Sequence, residues 1–276
     1  MTYSLAYSPC PNDTFIFAAL TNGLLPDVPH VEVVLDDVEA LNIAAREGRH
    51  ELTKVSYGAI PFLLDKYRIL RSGGALGRGC GPLVIAREAR ELATFGEDAV
   101  FAIPGKMTTA YLLLRLALGC EPKIRVMRFD TIVDAVKNGE VDAGLIIHES
   151  RFTYQNSGLK QVVDLGDWWE SSTGNPIPLG AILARRDIAD ENAHAIDAAI
   201  RESLAFARTR EPEIIDYVRA HAFEMNDDVM HAHIDLYVNE FSDDVGEAGI
   251  RAVDDLFARA RAANLIPAGQ RPDFVS

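Results

Sequence analysis

A histidine at the end of a wholly apolar run is the first place in this chain to look for chemistry. Ala143–Ile147 carries no polar side chain, and the next four residues are His148, Glu149, Ser150 and Arg151. Such a run is the pattern of a strand buried on both faces of a parallel sheet. Phe129–Asn138 precedes it, with Ile132, Val133 and Val136 at helical spacing and Asn138-Gly139 as the stop signal. A helix feeding a buried strand is half of a βαβ unit, and in open α/β sheets ligands bind outside the carboxyl ends of the strands. His148 is then placed for general acid–base work. A neutral imidazole near its ordinary pKa accepts a proton at pH 7, with a rate that rises with pH through that titration. The same position equally suits a histidine that only caps the strand through backbone hydrogen bonds.

A second candidate lies at Pro104-Gly105-Lys106-Met107-Thr108-Thr109, ahead of the apolar helix Ala110–Leu118. Thr108 is a natural N-cap, and a helix N-terminus after a glycine turn offers free N–H groups to an anion. Two adjacent hydroxyls beside Lys106 favour a site for a carboxylate or hydroxyl over plain capping. Cys10 stands at a strand-to-helix corner within Ser8-Pro9-Cys10-Pro11 and is read as a small packed residue, with a nucleophile as the minority reading. His231 and His233 look like a metal pair, but residues two apart on a helix do not converge, so solvated or packed histidines are the better reading. Trp168 and Trp169 serve equally well as core anchors or as a face for stacking a flat ligand.

These residues need elements to hold them. Ser4–Tyr7 reads as a first strand, followed by the helix Thr14–Leu20 capped by Asn12 or Asp13. Val31–Leu35 is a strand, Asp37 caps a helix through Ala45, and Leu52–Val55 is a strand ending at Ser56, where a helix Tyr57–Leu64 begins. Arg71–Gly81 holds five glycines but matches neither GxGxxG nor the P-loop, so close backbone approach or a flexible turn explains them and no nucleotide fingerprint is present. Strands follow at Pro82–Ala86, Ala99–Ile103 and Gln161–Asp164. Leu179–Ala184 returns, and the chain is helical beyond Asp190.

That order predicts an α/β protein of two lobes with a central cleft, the shape of a type II periplasmic binding protein. A larger discontinuous lobe takes residues 1–87 and 180–276, and a smaller one takes 88–179. The polar groups at Ser8–Asn12, Lys54–Ser56, Thr108-Thr109 and His148 would face the cleft. Net charge is −14, and residues 187–276 contribute 19 acidic residues against 8 arginines. A surface of that sign opposes nucleic acid or an anionic membrane as partner, while a cleft that sets its own field can still take a small anion. Cys10, Cys80 and Cys120 have no CxxC spacing and suggest neither zinc nor a disulfide framework. Met1–Asp13 lacks a basic and an apolar region of the signal-peptide kind, so a cytoplasmic protein is expected.

Several blocks together resemble one family. They are Ser-Pro-Cys-Pro-Asn-Asp-Thr-Phe at 8–15, Leu-Thr-Lys-Val-Ser-Tyr at 52–57 and Arg-Ser-Gly-Gly-Ala-Leu-Gly-Arg-Gly at 71–79. With them go Pro-Gly-Lys-Met-Thr-Thr-Ala-Tyr at 104–111, Gly-Leu-Ile-Ile-His-Glu-Ser-Arg-Phe-Thr-Tyr at 144–154 and Pro-Leu-Gly-Ala-Ile-Leu-Ala-Arg-Arg at 178–186. They resemble the 1,4-dihydroxy-6-naphthoate synthases of the futalosine route to menaquinone, over nearly the whole chain. The resemblance implies a lyase that releases a three-carbon dihydroxyacetone fragment from cyclic dehypoxanthinyl futalosine, a small carboxylate substrate. It implies His148 as general base and Lys54, Val55, Ser56, Thr108 and Thr109 as substrate contacts. It implies no metal or redox cofactor, and oligomeric state stays open. A solute-binding protein and a chorismate dehydratase share the expected fold and are the rival readings, with a Cys10–His148 hydrolase as a third.

Overall fold

Strand β1 (Thr2–Tyr7) runs into Ser8-Pro9-Cys10, and Pro11 opens helix α1 (Pro11–Thr21) in a computed structural model that describes residues 2–222, 226–269 and 271–275. Proline suits the first helical position because its missing N–H would find no partner there. Cys10 is therefore the N-cap residue, and no side chain caps the helix. The expected cap at Asn12 or Asp13 does not form, because both already lie inside the first turn. Residues 11–20 of α1 are all buried, as a helix apolar on every side must be.

The chain continues through β2 (His30–Leu35), α2 (Val38–Glu47), β3 (Leu52–Ser56), β4 (Tyr67–Ile69) and β5 (Ala75–Gly77). Asp37 caps α2 as expected, accepting from the N–H groups of Glu39 at 2.8 Å and Ala40 at 3.2 Å. The helix expected over 57–64 is instead a turn followed by a 3₁₀ segment, Ile60–Phe62. Pro61 has no N–H to return to Tyr57, so an α-helix starting at Tyr57 would lose that bond.

Strand β6 (Leu83–Ala86) opens the second sheet, with β7 (Val100–Ile103), α3 (Thr109–Leu118), β8 (Lys123–Val126), α4 (Ile132–Lys137) and β9 (Ala143–Ile146). Then come α5 (Ser150–Thr153), β10 (Lys160–Asp164) and α6 (Leu165–Thr173). Strand β11 (Ile177–Arg185) returns to the first sheet. Helices α7 (Asp190–Thr209), α8 (Ile215–His221), α9 (Asp227–Tyr237), α10 (Glu240–Asp243) and α11 (Gly246–Ala262) complete the order. Among the described residues the first sheet runs β2-β1-β3-β11-β4, with β5 also on β11, and the second runs β10-β6-β9-β7-β8.

β9 is central and fully buried, as its sequence requires. Its surroundings are mixed rather than all-parallel, since it pairs parallel to β7 but antiparallel to β6. A core of Leu5, Phe17, Ile182, Ile196 and Ile200 fills the space between the first sheet, α1 and α7, while Ile85, Ile132 and Ile146 pack the second. Trp169 is wholly buried, with its indole N–H donating to the Pro176 carbonyl at 3.0 Å, so it is a core anchor.

The chain leaves the first sheet through Gly77–Gly81. A Cβ on Gly166 would stand 2.8 Å from the Gly81 nitrogen and 2.9 Å from its Cα, so the glycines allow a backbone-to-backbone approach that no side chain would permit. The guanidinium of Arg151 grips this crossing, donating to the carbonyls of Gly81 at 2.5 Å and Gly79 at 2.9 Å and to the Asp164 carboxylate at 2.6 Å.

Candidate active site

Between the two sheets lies a cavity enclosing about 660 Å³ of space free of protein atoms, mouth included. The first sheet contributes Lys54, Val55 and Ser56 from the end of β3 to its wall. The second lobe contributes Thr108 and Thr109 at the start of α3, and His148 just beyond β9. All six residues named from the sequence thus meet at one cavity, although nearly a hundred positions separate the first from the last.

His148 has φ +60°, a left-handed conformation that a non-glycine residue rarely adopts and that costs of order 1 kcal/mol or more. The turn lies beyond the end of β9, where strand alternation no longer governs the direction of His148 and Glu149. Both reach Cys10 across the cleft, and the ligand-type atoms of the three lie within 4.8 Å of one another. His148 Nδ1 is 3.2 Å from Cys10 Sγ, and Phe129 meets the ring edge-on at 4.9 Å between centroids. The spacing of the three cysteines gave no sign of this grouping, since Cys10 finds its neighbours 138 residues downstream.

The imidazole keeps part of its surface open toward the cavity yet sits deep beneath the protein exterior. Burial pulls its pKa down to about 3, and the positive charge of Lys54 pulls in the same direction. It is therefore neutral throughout the physiological range. The rise in rate expected near its ordinary pKa is not to be sought at neutral pH. The Cys10 thiol is pushed well above its usual range by burial first, then by the Glu149 and Asp13 charges. It stays protonated, which removes the thiolate that a Cys10–His148 hydrolase would need.

Lys54, only 6% exposed, forms an ion pair with the fully buried Asp13. Asp13 also accepts from the Ser8 hydroxyl at 2.6 Å and from the Asn12 amide at 2.8 Å. A buried charge needs this degree of pairing. Ser56 is held through its backbone N–H, which donates to Asn42 Oδ1 at 2.8 Å.

The hydroxyls at the start of α3 are occupied by backbone. Thr108 caps the helix, accepting from the Tyr111 N–H at 3.2 Å. Thr109 donates to the Leu179 carbonyl at 2.7 Å and accepts from the Gly58 N–H at 3.0 Å, tying α3 to the first lobe and to β11. The anion at the glycine turn is a side chain of the protein: the Glu39 carboxylate accepts from the Met107 N–H at 3.1 and 3.2 Å. Any Cβ on Gly105 would collide with that carboxylate.

His233, absent from the sequence-derived set, also lines the cavity from α9 and is 1% exposed. Its Nε2 is 2.9 Å from Asn12 Oδ1, and its ring lies 6.5 Å from that of His148. Burial holds its pKa well below the ordinary value, with the neighbouring His148 and Lys54 adding to the effect. Its neighbour His231 sits near the surface against Glu211 at 2.9 Å, so the two do separate as helical geometry requires. The position of His233 follows from how α9 packs on α1, which no local pattern announces.

The fold and this site define a two-lobed protein of the periplasmic-binding-protein type with an imidazole set deep between its lobes. The periplasmic aliphatic sulphonate-binding protein of Escherichia coli shares the fold at a TM-score of 0.66 and 14% identity, covering 99% of this chain and 90% of that one. A protein of Archaeoglobus fulgidus matches far more closely, with a TM-score of 0.90 and 37% identity over 96% of this chain and 98% of its own. Residues 3–262 match the menaquinone biosynthesis family, and the chain belongs to it. Relatives named 1,4-dihydroxy-6-naphthoate synthase come from Thermus thermophilus, 55% identical over 98% of both chains, and from Streptomyces coelicolor, 47% identical over 97% of this chain and 95% of its own.

Proposed function

We propose that this chain is a lyase that converts cyclic dehypoxanthinyl futalosine to 1,4-dihydroxy-6-naphthoate with release of dihydroxyacetone. The observation that carries the reading is the neutral imidazole of His148, enclosed between two lobes whose sequence is 55% identical to a relative bearing that name. A pure binder needs only complementarity, whereas a base held in the cavity between the lobes can also remove a proton.

In this reading His148 takes the carbon-bound proton, and aromatisation of the new ring drives departure of the three-carbon fragment. In this scheme the ring proton sits on Nδ1, facing Cys10 Sγ at 3.2 Å, and Nε2 offers the lone pair. Cys10 is then a positioning residue. A base with so low a pKa needs an anionic partner, and the substrate carboxylate supplies one by favouring the imidazolium that forms. Lys54, Val55, Ser56, Thr108 and Thr109 hold the substrate in this scheme, with most Thr and Ser contact coming from backbone because the threonine hydroxyls are engaged.

Two lobes divided as 1–87 with 180–276 and 88–179 suit the partition of strands between the sheets, apart from β6, whose four residues pair in the second sheet, and the first three residues of β11, which belong to the first. Among the described residues no helix is long and apolar enough to cross a membrane, and all three cysteines are free. Free thiols suit a reducing compartment, which supports placing the reaction in the cytoplasm.

The test is direct. Purified protein without added cofactor should form the naphthalene product, followed by its altered absorbance and fluorescence. His148→Asn should lower turnover by about 10²–10⁴-fold while ligand affinity changes little. Tight binding with no product over many enzyme equivalents would make the protein a solute binder, and turnover of chorismate instead would make it the sister dehydratase.

A further inference from the structure

We propose that Cys10, His148 and Glu149 form a site for a soft divalent metal ion such as Zn²⁺, assembled across the cleft and inhibitory when filled. Its donors come from both lobes: Cys10 from the N-cap position of α1, and His148 and Glu149 from the loop after β9. One thiol, one imidazole and one carboxylate are donors that zinc accepts, at about 2.3 Å for sulfur and about 2.0–2.2 Å for nitrogen and oxygen. A tetrahedral ion would therefore hold its donor atoms roughly 3.3–3.8 Å apart. The sulfur and the imidazole nitrogen are already 3.2 Å apart, and all three donor atoms lie within 4.8 Å of one another. His148 stands in a left-handed turn beyond β9, and its side chain and that of Glu149 both come within reach of Cys10. The open cavity beside them leaves room for water as a fourth ligand.

Charge favours the assembly. The thiol releases its proton on binding, so one thiolate and one carboxylate balance the two positive charges of the ion, and a neutral unit stays buried. The adjacent Lys54–Asp13 pair is neutral overall and adds no net charge. The cation takes over the role of the lost proton, so the burial that keeps the apo thiol protonated does not count against the metal-bound thiolate.

Inhibition follows from where the ion sits. A metal on Nδ1 obliges Nε2 to carry the ring proton, and the imidazole then has no lone pair to offer a substrate. The ion also ties the lobes together through Cys10 on one side and His148 with Glu149 on the other. The inhibitory half of the proposal rests on the proposed lyase reaction, while the binding half does not.

Co²⁺ added to the chelator-treated full chain tests binding without any turnover. A sulfur-to-cobalt charge-transfer band should appear and saturate at one equivalent. It should vanish in Cys10→Ser, weaken in affinity at least tenfold in Glu149→Gln, and persist in Cys80→Ser and in Cys120→Ser. Absence of the band, or its survival in Cys10→Ser, overturns the site. In the activity assay Zn²⁺ should suppress turnover and excess chelator should restore it. Relative to its own metal-free rate, Cys10→Ser should need at least tenfold more Zn²⁺ for the same suppression. Full turnover with the metal bound overturns the inhibitory role. If the chain shows no lyase activity at all, the cobalt band still decides the site.

Discussion

The depressed pKa of His148 makes a quantitative prediction about acid stability. In the unfolded chain a histidine titrates near 6.5, and in the folded protein this one titrates near 3. Between those values the unfolded chain binds a proton that the folded protein does not, so stability rises with pH and is lost as pH falls. Well inside the window each pH unit is worth about 1.4 kcal/mol, and from pH 7 to pH 5 the loss from His148 alone amounts to about 2 kcal/mol. Against a typical folding stability of about 5–15 kcal/mol that is large enough to read in a urea melt. His148→Asn replaces the titrating ring with an amide that cannot take the proton. Urea unfolding of both proteins, measured at pH 7, 6 and 5, should show the native protein losing about 2 kcal/mol more than the variant as pH falls. The comparison cancels acid-sensitive groups that do not interact with His148, such as Glu39, whose raised pKa acts oppositely, while His233, depressed in part by His148, is less depressed in the variant and widens the difference in the same direction. Parallel pH dependences in the two proteins would show that the imidazole is not kept neutral by burial, and the account of the base would fail with it.

Three further outcomes follow from contacts described above. Thr109→Val leaves the Gly58 N–H and the Leu179 carbonyl without their shared hydroxyl; a denaturant melt should show a loss of about 1–3 kcal/mol, and an unchanged midpoint would mean that hydroxyl does not tie the lobes. Gly166→Ala forces a Cβ within 2.9 Å of Gly81 backbone, so the crossing must shift, at a cost of about 1–3 kcal/mol and with lower turnover; wild-type stability would contradict the close approach. In a pH profile of kcat/KM, which reports the free enzyme, no fall due to His148 should occur between pH 8 and 5; a limb near pH 6.5 would return the imidazole to its ordinary pKa.

What the sequence disclosed and what it concealed divide along a physical line. Local signals were legible: Asp37 and Thr108 as caps, the apolar run of β9, and the abrupt polarity at His148 all depend on neighbours within a few residues. The strands β4, β5 and β8 escaped because three or four residues give too little alternation to read, and β8 is largely exposed. The engagement of Thr109 with Gly58 and Leu179, and of Glu39 with Met107, joins segments 50 or more positions apart, so the threonine pair looked available for a ligand when its hydroxyls were already bonded. His233 and the meeting of Cys10 with His148 are likewise products of packing. Asn12 and Asp13 failed as caps because Pro11 starts the helix before them, and Asp13 is bonded to Ser8, Asn12 and Lys54 instead.

The acidic helical last third of the chain has a kinetic consequence. Residues 187–276 carry most of a net charge of −14, so the protein presents a repulsive long-range field to any carboxylate that diffuses toward it. The ammonium of Lys54 cannot offset this at a distance, because Asp13 neutralises it at close range. Dissolved salt, with a screening length of about 10 Å at 0.1 M, hides the outer charges long before it reaches the cavity. Capture of an anionic substrate should therefore quicken as ionic strength rises, the reverse of the behaviour of enzymes whose surface field draws their substrate in.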